Sequence, residues 1–213
     1  LASNTSGLKI SEMSEGLSDS LQERFMVMHF FNPVRYMRLL ELVPGPKTSS
    51  EVMAAAARFG EFLGKGIVVG KDTPNFVANR IGVYSMMQAF RTMDECGLTI
   101  EEVDKIAGKS MGRPKSAAFR TADVVGIDTF VHVAKTCYDN LPDDPERDVF
   151  QVAPWVQSMV EQGKIGQKAK QGFYKKEGKN ILVLDPATLE YREQKKVRFD
   201  SVGAVRGIEK VGP

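Results

Sequence analysis

Residues 25–33 read Phe-Met-Val-Met-His-Phe-Phe-Asn-Pro, and this stretch decides the fold of the first part of the chain. Its aromatic and branched residues favour a β-strand, and Asn32-Pro33 ends that strand, because proline donates no hydrogen bond to a sheet. A second apolar run, over residues 37–43, ends at Pro44-Gly45-Pro46. The sequence therefore predicts two neighbouring strands, over 25–31 and 37–43.

These two strands place a histidine opposite a carboxylate. If they pair antiparallel about a turn centred near Arg35, His29 lies opposite Glu41 on the same face, with Cβ atoms roughly 5 Å apart. A carboxylate beside an imidazole fixes its tautomer and stabilises the imidazolium formed when the ring takes a proton, so His29 is a candidate base. A histidine in an apolar run is more often structural, and Glu41 on a solvated face fits the same spacing. The residues alone leave both interpretations open.

Several motifs taken together resemble a known family. His-Phe-Phe-Asn-Pro-Val at 29–34, with a glutamate twelve positions after the histidine, resembles the L-3-hydroxyacyl-CoA dehydrogenases of fatty acid β-oxidation. Four further stretches agree with this family in the same order and cover most of the chain: Leu-Ala-Ser-Asn-Thr-Ser at 1–6, Asp-Thr-Pro at 72–74 leading to Asn79-Arg80, Val-Gly-Ile-Asp-Thr at 125–129, and Gly-Phe-Tyr at 172–174.

The resemblance implies roles for individual residues. It makes His29 the general base for the 3-hydroxyl group and Glu41 the residue that orients it. It makes Ser6 and Asn79 contacts of the acyl-CoA substrate, and Ser6 and Asn4 contacts of the cofactor NAD, with no metal ion. Hydride then leaves carbon 3 of the acyl chain for the nicotinamide ring while His29 takes the hydroxyl proton.

The resemblance also implies the fold class. We expect an α/β remnant of a Rossmann-type domain, then a mainly α-helical domain like the C-terminal domain of 6-phosphogluconate dehydrogenases, with a small C-terminal hairpin and tail. The predicted limits are 1–71 for the end of the NAD-binding domain, 72–176 for a helical substrate-binding and dimerisation domain, and 177–213 for the hairpin end and a linker-like tail. The boundary rests on Asp72 and Pro74, a turn-prone acid and a proline at a helix start. The resemblance also implies a homodimer formed through the helical domain.

No glycine-rich phosphate-binding loop is found in the sequence. The nearest cluster, at 64–70, has the wrong spacing, so Gly64 is predicted to end a helix and Gly66 to open a strand. The chain also begins without methionine, inside what the family makes the strand that leads to Ser6. We therefore expect a fragment that keeps the catalytic residues and lacks most of the NAD site. NAD and NADP are not distinguished, because the residue that would contact the adenine ribose is absent.

Capping patterns predict the helices. Thr48-Ser49-Ser50-Glu51 and Thr99-Ile100-Glu101-Glu102 both match a capping box. Asn75 stands where many family members have glycine, and asparagine tolerates the left-handed conformation that a turn there requires. The first capped helix has its predicted apolar face at Val52, Ala56, Phe59 and Leu63.

The remaining elements follow from periodicity and turn residues. A long helix is predicted over 75–95, stopped by Gly97, and Met86, Met87, Phe90 and Met93 form an apolar stripe along it. Core packing is slightly favoured for this stripe, although a dimer contact or a cover for the acyl chain fits it too. Other predicted elements are helices over 11–17, over 154–162 and from Ala122 or Asp128 to Tyr138, and a hairpin of strands 172–176 and 181–184.

Composition bounds the class of protein. The chain has 213 residues and 42% hydrophobic content, which suits an ordinary globular core, and its formal net charge of +2 does not by itself indicate nucleic acid as a partner. No apolar run of about 18 or more residues predicts a membrane span. Cys96 and Cys137 lack metal-ligand spacing, so free buried thiols and a cytoplasmic location are expected.

Two rival interpretations stay open. The chain is alternatively a non-catalytic dimerisation or acyl-CoA-binding module, which needs only the helical face around 86–93. A helical domain from a Rossmann-type dehydrogenase of sugar acids shares the architecture but does not explain His29 with Glu41.

The basic stretch at 110–120 resembles longer bacterial multidomain members in which a hydratase region follows. Within it, Arg113 and Lys115 either meet coenzyme A phosphates or obstruct the acyl chain.

Overall fold

The computed structural model describes residues 1–204 and divides them into two compact units. The first unit comprises Leu1–Gly82 and Asp139–Leu141. The second comprises Val83–Tyr138 and the described chain from Pro142 onward. The domain limits given above from the sequence stay predictions.

A four-stranded sheet forms the centre of the first unit. Its strands are β1 (Ala2–Ser3), β2 (Met26–Phe30), β3 (Leu39–Pro44) and β4 (Gly66–Val69), in the spatial order β1-β2-β3-β4. β1 runs parallel to β2, β2 antiparallel to β3, and β3 parallel to β4. Both strands predicted around the histidine and the glutamate are confirmed with slightly different ends. β3 starts late because the Tyr36 and Met37 amides donate to the Pro33 carbonyl in a turn.

Helices α1 (Ile10–Met13), α2 (Asp19–Gln22) and α3 (Ser50–Phe62) accompany this sheet. α1 lies where a helix was predicted over 11–17. The prediction that Thr48 is the N-cap residue of α3 was wrong. Ser49 has this position, and its side chain accepts a hydrogen bond from the Val52 amide. The Thr48 hydroxyl donates instead to the Phe25 carbonyl, which fastens the start of α3 to the chain entering β2.

Helix α3 packs on the sheet through a face that differs from the predicted one. Phe59 is 50% exposed and Leu63 is 44% exposed, so their assignment to the apolar face was wrong. The reason is Gly60, where an added Cβ would lie 2.8 Å from side-chain atoms of both Leu40 and Ile67. Because Gly60 has no side chain, the sheet approaches the helix there, and Phe59 turns toward solvent.

The second unit is mainly helical. Its helices are α4 (Ala78–Cys96), which begins in the first unit, α5 (Ile100–Ile106), α6 (Phe119–Val125), α7 (Ile127–Asn140) and α8 (Pro154–Glu161). The capping box at the start of α5 is confirmed. Of the two starts that the sequence left open, Asp128 is close to the observed start of α7, whereas Ala122 lies within the separate helix α6, since Gly126, with φ +100°, separates the two helices.

Aromatic and methionine side chains form the core of this unit. Phe90 of α4 stacks on Phe119 of α6 with ring centroids 4.5 Å apart. Met87, Phe90 and Met93 are buried, so core packing is confirmed for these three members of the predicted stripe. Met86, the fourth member, is partly exposed.

A second sheet follows the helices. β5 (Tyr174–Glu177) and β6 (Asn180–Leu184) pair antiparallel, which confirms the predicted hairpin. β7 (Tyr191–Glu193) pairs with β6, and helix α9 (Asp200–Ala204) follows, so the expectation of a plain linker after residue 185 was wrong. A contact with a helix stabilises β7, because the Arg192 side chain of this strand forms an ion pair with Glu101 of α5 at 2.6 Å. Residues 205–213 of the predicted tail lie outside the described residues.

The two cysteines are free thiols, but only one matches its predicted burial. Cys137 is buried in α7, whereas Cys96 is exposed, because it is the last residue of α4 and lies beyond the buried stripe. Within residues 1–204, no helix combines the length and apolar character needed to cross a bilayer.

Candidate active site

A histidine and a glutamate face each other across β2 and β3. The register pairs His29 with Glu41, as predicted, and Nδ1 of His29 lies 2.6 Å from Oε2 of Glu41. His29 is 5% exposed and Glu41 is 0% exposed. The pair is therefore a short hydrogen bond between two titratable side chains in a buried environment.

The second carboxylate oxygen of Glu41 is held by backbone. Oε1 accepts hydrogen bonds from the amides of Val77 at 3.0 Å and Ala78 at 2.7 Å. Ala78 is the first residue of α4, so the start of this helix directs its partial positive charge at Glu41. The sequence does not reveal these two donors, because every residue type except proline offers the same backbone amide.

These contacts keep Glu41 charged. Burial raises the pKa of Glu41, but the hydrogen bonds from His29, Ala78 and Val77 outweigh burial and lower it below the ordinary value. Because an ionised carboxylate only accepts hydrogen bonds, Nδ1 of His29 is the donor. In the neutral ring, Nε2 then carries the lone pair, and within residues 1–204 no hydrogen-bond partner occupies it. The contact with Glu41 therefore fixes which nitrogen of the neutral ring carries the proton.

Two aromatic rings flank His29. The ring centroid of Phe31 lies 4.3 Å from that of His29, and the centroid of Phe76 lies 5.9 Å away. Phe76 follows Asn75, and the two have φ values of +51° and +59°, so the left-handed turn expected at Asn75 is confirmed and extends to the next residue. This turn explains why α4 begins at Ala78 instead of Asn75.

The other predicted site residues lie on the loop after β1 and on the first turn of α4. Asn79 Nδ2 donates to the carbonyl oxygen of Ser6 at 3.2 Å, so the structure brings these two residues together. Asn4 Oδ1 accepts from the amide of Phe30, the residue after His29, at 2.8 Å. Ser6 and Asn4 are exposed. Their assignment to substrate and cofactor stays a prediction, as do the catalytic roles of the buried pair.

Asp72 was predicted only as a turn residue, and the structure gives it a further contact. Its carboxylate accepts hydrogen bonds from the amides of Ile10 and Ser11, at 2.7 and 2.9 Å. The sequence separation is 62 and 61 residues, so no local pattern pointed to it.

The glycine cluster between α3 and β4 is structural. Gly64 has φ +71° just after α3, and Gly66 opens β4, as predicted. The cluster therefore joins a helix to a strand, whereas a phosphate-binding loop joins a strand to a helix. Among residues 1–204, no group of three or more His, Cys, Asp or Glu side chains is placed to hold a metal ion.

Two family models match this chain. Residues 1–73 match the family model of the 3-hydroxyacyl-CoA dehydrogenase NAD binding domain. Residues 76–176 match the model of the 3-hydroxyacyl-CoA dehydrogenase C-terminal domain. The two matches meet at the turn that precedes α4.

Individual relatives show the same similarity. A probable 3-hydroxyacyl-CoA dehydrogenase of Bacillus subtilis is 49% identical over 97% of this chain and 26% of its own length. The fatty acid oxidation complex subunit alpha of Acinetobacter baumannii is 36% identical over 89% of this chain and 26% of its own length. The crystal structure of the (S)-3-hydroxybutyryl-CoA dehydrogenase of Ralstonia eutropha has a TM-score of 0.71 and 33% identity, covering 80% of this chain and 58% of that one. The chain thus spans about a quarter of the length of these two curated relatives.

Proposed function

The chain belongs to the 3-hydroxyacyl-CoA dehydrogenase family, and from this we propose that it carries the catalytic centre of an NAD-dependent enzyme. The proposed reaction oxidises L-3-hydroxyacyl-CoA to 3-oxoacyl-CoA in fatty acid β-oxidation. One observation carries the proposal: the buried hydrogen bond between His29 and Glu41, with the second oxygen of Glu41 held by the start of α4.

In the proposed mechanism His29 is the base. Its Nε2 takes the proton of the substrate 3-hydroxyl group. Nδ1 keeps its own proton and continues to donate it in the hydrogen bond to Glu41. The imidazolium that forms lies beside a carboxylate that is already ionised, so the site is organised for positive charge before the reaction begins. Phe31 and Phe76 shield the ring from water on its flanks. In the reverse direction His29 returns the proton to the carbonyl oxygen.

The residues present fit the nicotinamide end of NAD. Asn4 and Ser6 lie just beyond β1, at the carboxyl end of a strand that is parallel to β2, and ligands of open α/β sheets bind at such ends. NAD, when bound there, accepts the hydride from carbon 3 of the substrate. Ser6 and Asn79 would hold substrate and cofactor against His29. The phosphate and adenine contacts are proposed to lie outside this chain, since the sequence has no glycine-rich loop of the required spacing.

The test is acetoacetyl-CoA-dependent oxidation of NADH, followed by the loss of absorbance of NADH. We expect His29→Gln to lower turnover by about 10³-fold, because the amide cannot take the proton. The matched control is His132→Gln, which changes the only other histidine, an exposed residue of α7, and should leave turnover unchanged. Circular dichroism checks that both variants keep the fold.

The assay is run on the chain alone and on the longer protein of which we propose it to be a part. If the longer protein is active and the chain alone is inactive, the result supports the expectation that this chain lacks most of the NAD site. Full turnover of the His29→Gln variant overturns the proposed base. Inactivity of both proteins, with acyl-CoA binding retained, favours the alternative of a binding module.

Assembly and location are also proposals. We propose a homodimer formed through the helical unit, where Met111, Val124 and Val125 are more than half exposed although apolar. Light scattering coupled to gel filtration tests this, and a monomer at micromolar concentration contradicts it. The free thiols of Cys96 and Cys137 suit the reducing cytoplasm, which is the proposed location.

A further inference from the structure

Asp72 lies between β4 and the turn that leads into α4. The two amides that it accepts from, those of Ile10 and Ser11, are at the start of α1. The residue at the N-cap position of α1 is Lys9, whose side chain makes no capping bond. Asp72 therefore caps this helix from a distant part of the chain, with one carboxylate oxygen for each amide.

The capped helix begins close to the loop that carries Ser6. Only three residues separate Ser6 from Ile10, and Ile10 is fully buried. At the other end of this short segment, the Ser6 carbonyl accepts from Asn79, and an added Cβ on Gly7 would lie 2.8 Å from Oδ1 of Asn75. Residues 6–10 are therefore held at both ends by residues 72–79.

We propose that Asp72 is a positioning residue for Ser6. By capping α1 it fixes where the segment 6–10 ends, and so it fixes how far Ser6 extends toward the substrate. Asp72 acts through Ser6 and does not itself touch the reacting groups. This inference rests on the proposed function, because only there is Ser6 a substrate contact.

The first test is the kinetics of Asp72→Ala in the longer protein that carries this chain. We expect the KM for acetoacetyl-CoA to rise about tenfold while kcat changes by less than about threefold, because a displaced contact weakens binding and leaves the base intact. A merely structural role would reduce the active fraction, which lowers apparent kcat and leaves KM unchanged. Asp19→Ala is the control, since Asp19 is an exposed carboxylate of the same unit that pairs with Lys47, and its KM should equal that of the parent protein.

A double-mutant cycle shows whether the effect passes through Ser6. If it does, Asp72→Ala raises KM about tenfold when Ser6 is present and less than about twofold in the Ser6→Ala background. If Asp72→Ala fails to fold, Asp72→Asn replaces it, since asparagine keeps one acceptor oxygen, and an intermediate KM is expected. An unchanged KM in the folded variant, or effects that add fully in the cycle, overturns the inference. An inactive parent protein, or a fully active His29→Gln variant, contradicts the proposed function instead.

Discussion

Glu41 in the first unit and the pair Asp104 and Asp123 in the second unit are carboxylates whose pKa values are shifted in opposite directions. In the first unit, the pKa of Glu41 is lowered although the side chain is completely buried. In the second unit, burial raises the pKa of Asp123 to about 6, and it also raises the pKa of Asp104. Burial acts in the same direction on all three residues, so the difference comes from their partners.

The partners differ in charge. Glu41 contacts the imidazole of His29 and two amides at the start of a 19-residue helix. Asp123 accepts from the amides of Phe173 and Tyr174, while the negative charge of Asp104 raises its pKa further. A side chain that can become a cation, together with a helix start, lowers the pKa of a buried carboxylate, whereas two backbone amides beside a second acid leave it raised. The first arrangement suits catalysis and the second suits structure.

The second arrangement fastens the C-terminal sheet to the helices. Asp104 accepts from the amides of Ala118 and Phe119 and, at 2.9 Å, from the hydroxyl of Tyr174. The guanidinium carbon of Arg120 lies 3.8 Å from the centroid of the Tyr174 ring. Asp104 and Asp123 therefore join α5 and α6 to the first strand of the sheet.

The largest effect is expected where the partner of Glu41 is changed. In Glu41→Gln, the amide oxygen can still accept from Val77 and Ala78, but the NH2 group then donates to Nδ1 of His29. This reverses the tautomer, so Nε2 carries a proton and cannot act as the base. We expect kcat to fall on the order of 10³-fold with little change in the midpoint of thermal unfolding. Steady-state kinetics and circular dichroism measure the two quantities.

The control for this substitution is Glu61→Gln, on the exposed side of α3, which should leave kcat unchanged. A Glu41→Gln variant with normal kcat would show that the charge on Glu41 has no catalytic use. The contrast between the two buried sites would then concern stability alone.

A smaller effect, on stability, is expected in the second unit. An added Cβ on Gly172 would lie 2.1 Å from Oδ1 of Asp123 and 2.7 Å from the Cα of Gly166. We expect Gly172→Ala to lower the free energy of unfolding by about 3 kcal/mol, because backbone and carboxylate must both move. Urea denaturation measures this value. Gly82→Ala is the matched control, since nothing lies within 4 Å of its added Cβ, and it should be neutral or slightly stabilising.

The His29–Glu41 pairing was accessible from the sequence. Positions 29 and 41 are equally distant from a turn near Arg35, so an antiparallel hairpin pairs them by residue counting. The Gly-Phe-Tyr motif at 172–174 was also visible, but only as a family resemblance. Its physical reason, the close approach of Asp123 to Gly172, needed the structure.

What the sequence missed depends on contacts between distant segments. The amides of Val77 and Ala78 hold Glu41, yet any residue type other than proline offers the same donor. The short strand β7 is stabilised by the contact of Arg192 with Glu101, 91 residues away. The orientation of Phe59 followed from its neighbour Gly60, which follows Ala56 by one helical turn and occupies the place against the sheet.

The smallest predicted effect is the pH dependence of the free energy of unfolding that Asp123 causes. Since the folded-state pKa of Asp123 is about 6 against 3.8 ordinarily, the folded protein binds a proton more tightly than the unfolded chain does. Its contribution to stability is fully present below pH 3.8 and is lost as pH rises through about 6. The loss is of the order of 2–3 kcal/mol. Glu41 behaves in the opposite way, because its lowered pKa contributes stability that is lost as pH falls.

Asp123→Asn removes the titrating group, so the difference in unfolding free energy between parent and variant should shrink steadily as pH rises across this range. Urea denaturation at a series of pH values measures that difference, which cancels the titration of all other groups. Asp143→Asn, which changes an exposed carboxylate in a loop, is the control for the substitution itself. A pH-independent difference for Asp123→Asn would mean that its two amide partners offset burial without any help from a neighbouring histidine. The lowered pKa of Glu41 could then no longer be credited to His29 alone.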